Sequence, residues 1–340
     1  MDFTLTRDQK EVLDRTEEAC CILRKKEEQS WHAGEINAEL ERVLKRARLM
    51  NFPLSAKYGG EGGDFVIYGL VLERIAQEGL SPHAFLLSHD SSALAIQEHA
   101  TDEQSASILK NILASPFKGH SIGYEKQPGG YVLNGEKPFV VNSLSSGIVT
   151  VFADGQQGRT AFAVRKNNDI HVERLKRHGL RSADLGKIKF TDFFVRKENV
   201  IGTEGFGWKV EDTHSNLTKL ISAAGYVGAA KDCLYEIERS IDAQSASFTV
   251  NSKMKARVRA ASLLARHAMW LSAKAKENKQ LRKEAEEQVK LAHAFAYDTA
   301  MQAAKYGVMK LGAQTDDRTS RQMRHFIDLA VANYWSGNDI

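Results

Sequence analysis

This chain is short of most features that would announce a function. Of its 340 residues only three are cysteine. Cys20, Cys21 and Cys233 give neither a disulfide framework nor metal-ligand spacing, and an adjacent Cys-Cys pair in a helical stretch reads as packing. No apolar run approaches the length of a membrane span. The opening MDFTLTRDQKEVL carries early acidic residues and no apolar core of a signal peptide, so a cytoplasmic setting is expected. Neither sign of charge dominates: Lys+Arg 47 against Asp+Glu 43 leaves +4, too mild and too interspersed to point to nucleic acid. YGGEGGD at 58–64 has glycines but no GK[ST] signature and no preceding strand, so it reads as a turn. His83, His89, His99, His267, His293 and His325 lack metal spacing, and no nucleophile elbow is present.

What is present is a change of period. Up to about residue 115 the apolar spacing is helical, as in TRDQKEVLDRTEEACCILRKKEEQ, where Val12, Leu13, Ala19, Ile22 and Leu23 form a stripe and Thr6 or Asp8 offers a start. Pro53 and two glycine pairs interrupt the pattern, which resumes at FVIYGLVLERIAQEG and runs through DSSALAIQEHATDEQSASILKNILA. Near Pro116 the segments become short and alternating, bounded by Gly, Asn and Asp, which predicts a small antiparallel barrel or sandwich. Leu133–Glu136 reads as a hairpin, with Asn-Gly supplying positive φ. From Thr213 onward the period is helical again, and Ala and Gly in ISAAGYVGAA permit close helix contact. Hydrophobic residues at 42% and charged residues at 26% suit a soluble globular chain of two or three domains. The expected division is a helical domain over 1–115, a β domain over 116–212 and a helical bundle over 213–340.

Several strings, taken in order, resemble the acyl-CoA dehydrogenase superfamily: MDFTLTRDQKEVL, KYGGEGG with VLERIAQ, GGYVLNGEKPFVVNS, AAGYVGAA, GVMKLGAQ and, most specifically, HGLRSADLGKIKFTDFFVRKENVIGTEGFGWKV. The resemblance implies an α+β fold in which an N-terminal helical domain precedes a central antiparallel β domain and a C-terminal four-helix bundle. It implies FAD between the β domain and the bundle, completed by a neighbouring subunit, and an acyl-CoA substrate desaturated at its α and β carbons. It further implies a dimer or tetramer of family subunits, like or unlike, with no metal, nucleic acid or membrane involved.

The same resemblance places the flavin contacts at Gly123, Tyr124, Phe139, Val141, Phe248, Met309, Ala313, Trp335 and Asn338. At these positions the family pattern is altered. Tyr124 takes a Thr position, the Gly-Ser-Asp after Glu125 is deleted, and Val141 replaces a Thr hydroxyl worth about 1 kcal/mol as a hydrogen bond. Ser245 stands for an Arg whose guanidinium would bind pyrophosphate, and Leu220 for another. WSGN matches the family's Tyr-Glu-Gly-Thr, so Ser336 occupies the place of the catalytic Glu. Family members that carry the base on the first bundle helix match Lys219 instead. Neither group is a carboxylate. Asp339 and Glu125 are the candidate displaced bases, and no counterpart of the family's closing helix is expected.

Three functions follow from these residues. The chain is a dehydrogenase with a displaced base, a catalytically degenerate subunit of a heteromeric dehydrogenase, or a flavin-dependent monooxygenase of the same fold.

Overall fold

The computed structural model describes residues 5–116, 122–240, 248–311 and 321–332. Helix α1 (Arg7–Ala33) starts where the sequence pointed: the Thr6 hydroxyl accepts from the Gln9 amide, and the Gln9 side chain answers with the Thr6 N–H. Its stripe is buried at Val12, Ala19 and Leu23, but Ile22 lies outside, 49% exposed. After α2 (Leu40–Arg46), Asp64 caps α3 (Phe65–Glu78) by accepting from the Val66 and Ile67 amides.

Gly79 then breaks the path, and α4 (Leu80–His99) follows immediately; every residue from Leu80 to Ile96 is buried. A helix apolar or buried all round belongs at the centre of the fold, and α4 is packed by α3, α6 and the sheet. Helix α5 (Asp102–Ile108) carries a second capping box, Thr101 with Gln104. The helical period was expected to run on through Ala114, yet β1 (Leu113–Pro116) already pairs with the sheet there. The cause is tertiary: Leu113 N–H donates to His89 Nδ1 on α4, fixing the backbone in an extended path.

The remaining strands are β2 (Ile122–Gln127), β3 (Gly130–Val141), β4 (Ile148–Gly155), β5 (Gly158–Arg165), β6 (His171–Arg174), β7 (Leu185–Arg196) and β8 (Val200–Ile201). Among the described residues they form one sheet in the order β6-β7-β3-β1-β4-β5-β8, with β2 joined to β3 and β4. Pairing is antiparallel except for β1 with β4 and β2 with β4. The sheet encloses a separate core in which Tyr124, Tyr131 and Phe162 meet edge to face at 5.2 to 5.6 Å.

The Asn134-Gly135 pair does not make a hairpin. Leu133–Glu136 lies inside the continuous strand β3, where the register against β7 shifts between Leu133 and Gly135. The β2–β3 turn falls instead at Pro128-Gly129, where Gly129 has φ +82°. Positive-φ chemistry at Asn-Gly serves a bulge here as well as it serves a turn.

The third layer is α6 (Gly207–Ser240), α7 (Phe248–Glu277), α8 (Arg282–Leu311) and α9 (Arg321–Ala332). The small residues of α6 permit the closest approaches in this part of the molecule. A Cβ on Gly225 would lie 2.3 Å from the His83 ring, and one on Gly228 would lie 2.2 Å from the Glu73 carbonyl. Helix α9 is tied to both other layers through buried polar groups: Asp328 accepts from Trp31 of α1 and from the Leu180 amide, while Arg324 donates to the Glu78 carbonyl. No helix among the described residues is long and apolar enough to cross a membrane.

Candidate active site between the sheet and α6

Residues paired across adjacent strands project from the same face. The register therefore sets Asn134 of β3, Gly123 of β2, Asp154 of β4 and Arg159 of β5 in one row across the sheet. Gly123 makes a notch in this row, because a Cβ there would meet nothing nearer than the Asn134 carbonyl at 3.8 Å. Beside the notch, Arg159 holds Asp154 with both arms, at 2.8 and 2.9 Å. Its remaining amino group donates to Glu211 on the first turns of α6, at 2.7 Å. The bond to Arg159 keeps the Asp154 carboxyl below its usual range.

Behind this ion group, burial pushes the Lys137 ammonium of β3 down to about 8, with Arg159 adding to the effect and Glu211 and Asp154 opposing it. His214, one turn beyond Glu211, is buried and driven to about 4 chiefly by desolvation, with the Lys137 charge acting the same way. Its Nε2 lies 3.2 Å from the Ser91 hydroxyl of α4, and its ring packs on Phe152 at 5.8 Å. Sheet, central helix and bundle thus meet in one polar junction. Lys137, Asp154, Arg159, Glu211 and His214 were not legible as a group, since they come from separate segments, three read as strands and the last two at the start of a helix.

The residues expected at a flavin site are placed as follows. Gly123 is the notch itself. Tyr124, its neighbour, turns to the opposite face: its ring is in the β core and its hydroxyl is committed, donating to the Gly158 carbonyl and accepting from Thr160. Phe139 is half-buried with φ +57°, packed against the helical core. Val141 is buried in that core, and its carbonyl accepts from Ser88. Met309 stands 73% exposed on α8, away from any core. Phe248 begins α7, with its side chain outside the described residues. Ala313, Trp335, Ser336, Asn338 and Asp339 also lie outside them. Glu125 is exposed on β2. Lys219 is half-buried on α6, and its charge adds to the burial that pushes His293 down to about 4. Leu220 is fully packed.

Residues 6–115 match the family model described as acyl-CoA dehydrogenase, N-terminal domain. The chain is 28% identical over 265 residues to the short-chain specific acyl-CoA dehydrogenase of Clostridium acetobutylicum, covering 69% of each chain. It is 27% identical over 308 residues to an acyl-CoA dehydrogenase of Bacillus subtilis, covering 81% of this chain and 79% of that one. The fold superposes on butyryl-CoA dehydrogenase from Megasphaera elsdenii with a TM-score of 0.86 at 22% identity, over 99% of this chain and 96% of the other. Residues 6–115 thus match the acyl-CoA dehydrogenase N-terminal domain, and the fold is similar to that of a solved acyl-CoA dehydrogenase.

Among solved superfamily folds, a glutaryl-CoA dehydrogenase from Mycobacterium smegmatis is described in complex with FADH2; it superposes with a TM-score of 0.86 at 18% identity, over 98% and 92% of the two chains. The donor set at the junction of the present chain does not fit such a group. A flavin needs hydrogen-bond donors to its ring edge and cations to its pyrophosphate. Val141 has no donor on its side chain, the Tyr124 hydroxyl is spent inside the sheet, and Arg159 is neutralised by Asp154 and Glu211. Among the described residues that the resemblance named, the notch at Gly123 and the ring of Phe139 are of a kind a flavin would use. Among the described residues no cluster of metal-ligating side chains is present.

Proposed function

We propose that this chain works in the α,β-desaturation of an acyl-CoA thioester as a degenerate subunit, assembled with a second superfamily subunit that supplies the proton acceptor. The observation that carries this reading is the commitment of the junction's carboxylates. Asp154 and Glu211 both bind Arg159; the guanidinium holds the Asp154 carboxyl ionised, which makes it a weak base, and occupies a Glu211 oxygen. At the alternative base position on α6 stands Lys219, an amine in place of a carboxylate. Ser336, at the usual base position, is neutral. Loss of the base and of several donors together, within a fold retained across the described residues, is what relaxed catalysis with retained assembly would leave. A monooxygenase of this fold would need the same flavin contacts and gains no support from the junction.

The test is to purify the chain alone and after co-expression with a catalytic superfamily subunit. Alone, it should be colourless; in complex, the assembly should show flavin absorption that bleaches anaerobically on adding an acyl-CoA. Flavin bound by the lone chain and bleached by acyl-CoA would overturn the proposal and return the function to a dehydrogenase with its own displaced base. Asp339→Asn would then abolish the bleaching.

A further inference from the structure

A cavity of about 90 Å³ lies between the α1–α2 connection, the start of α4 and the two loops that meet at one end of the β3–β7 pair. Its apolar walls include Leu40, Phe85 and Ala183. Most of its polar groups are spoken for. The Ser182 hydroxyl and the Asn37 amide both donate to the buried carboxylate of Glu27. Asp184 accepts from the Leu144 and Ser145 amides and from two serine hydroxyls. Glu41 at the rim is paired with Lys45.

Two lining side chains have polar atoms with no partner among the described residues: Ser81 Oγ and Asn142 Oδ1. Each residue is 1% exposed. The Asn142 amide nitrogen is anchored, donating to the Phe85 and Leu113 carbonyls at 3.0 and 3.2 Å, so its oxygen cannot turn away. A buried polar atom without a partner costs about 1 to 3 kcal/mol. A site with one fixed acceptor and one hydroxyl, which can donate or accept a hydrogen bond, is matched by a molecule carrying both a donor and an acceptor.

Charge narrows the class. The walls contain Glu41 and Asp184 and no Lys, Arg or His, so an anion meets unfavourable potential. Both carboxylates already have partners, which leaves a cation two neutral oxygens, too few to replace its hydration shell.

We infer that this cavity is a binding site for a small neutral amide or alcohol, held between Asn142 Oδ1 and Ser81 Oγ. The volume has room for about three waters, or for one molecule of about four non-hydrogen atoms. The inference is independent of the desaturation reading, since it rests on groups outside the junction.

Acetamide is the probe and acetate its size-matched anion, used with the full chain. Saturation-transfer NMR should detect acetamide and not acetate. Ser81→Ala, which removes one neutral hydrogen bond, should weaken acetamide about fivefold. Ser81→Val, which also fills the space, should abolish binding. Ala38→Leu, at the exposed mouth, should do the same without touching a buried group. A melting transition matching wild type verifies that each variant is folded. Acetamide binding unchanged in both Ser81→Val and Ala38→Leu, equal binding of acetate, or a soaked crystal with only water against Asn142 Oδ1 would overturn the assignment.

Discussion

Trp31 and Asp328 stand 297 positions apart in the chain, and the indole Nε1 of one donates to Oδ1 of the other at 2.9 Å. The same oxygen accepts from the Leu180 amide, so a single carboxyl joins the first helix, the β6–β7 loop and the last described helix. Burial raises this carboxyl's pKa, as it does that of Glu27 nearby. Asp328→Leu strands two buried donors and should cost about 3 kcal/mol of unfolding free energy. Asp328→Asn keeps an acceptor at the same place and should cost about 1 kcal/mol. Urea denaturation of both variants decides the matter; equal midpoints would show that the contact carries no energy.

Gly225 is the second place where a small change should be felt. A methyl there meets the His83 ring, whose Nε2 is itself bonded to the Ile221 carbonyl at 3.0 Å. Gly225→Ala should destabilise by about 2 kcal/mol through overpacking, despite the better helix propensity of Ala. Pairing it with His83→Ala should recover part of the loss, and additive costs in the double mutant would refute the clash.

Asp90 governs a pH effect with a definite sign. Burial pushes its carboxyl up from 3.8 to about 7, against the lowering from Tyr68 and the Asn51 amide. A raised acid binds its proton more tightly when folded. Its contribution is therefore full below about pH 4 and lost as pH rises through about 7. Relative to Asp90→Asn, which cannot titrate, wild type should lose about 2 kcal/mol between pH 5 and pH 8. Denaturant midpoints for the two proteins at those pH values provide the check, and a constant gap would contradict the shift.

Arg177 makes the fourth prediction. Its guanidinium donates to the carbonyls of Leu175, Leu180, Ala183 and Leu185, clasping the loop that also carries Ser182 and Asp184. Arg177→Lys retains the charge but cannot span these acceptors, so a loss of about 2 kcal/mol is expected in thermal or chemical unfolding. The same variant should speed proteolysis within residues 175–185, and unchanged cleavage there would count against the clasp.

The fold was readable where neighbouring residues decide the structure. Thr6 and Gln9 cap α1 from four positions of sequence, and the switch from helical to alternating spacing marks the entry to the sheet within a few residues. Three readings failed because a distant group outweighed the local signal. Leu113 and Ala114 look helical but are captured as strand by His89. Asn134-Gly135 looks like a turn, but a long β7 partner runs past it and the pair becomes a bulge. Ile22 fits the apolar stripe of α1 but faces outward.

Family resemblance pointed to Gly123 and Phe139, but Arg159, Glu211 and His214 acquire meaning only once β5 and α6 are brought together. Short-range chemistry in the sequence by itself determined the caps, the periods and the order of the three layers. Tertiary structure alone decided which charges neutralise one another and which buried oxygens remain without a donor. Electrostatic pairing depends on distances between groups tens to hundreds of residues apart, and those distances do not exist until the layers pack.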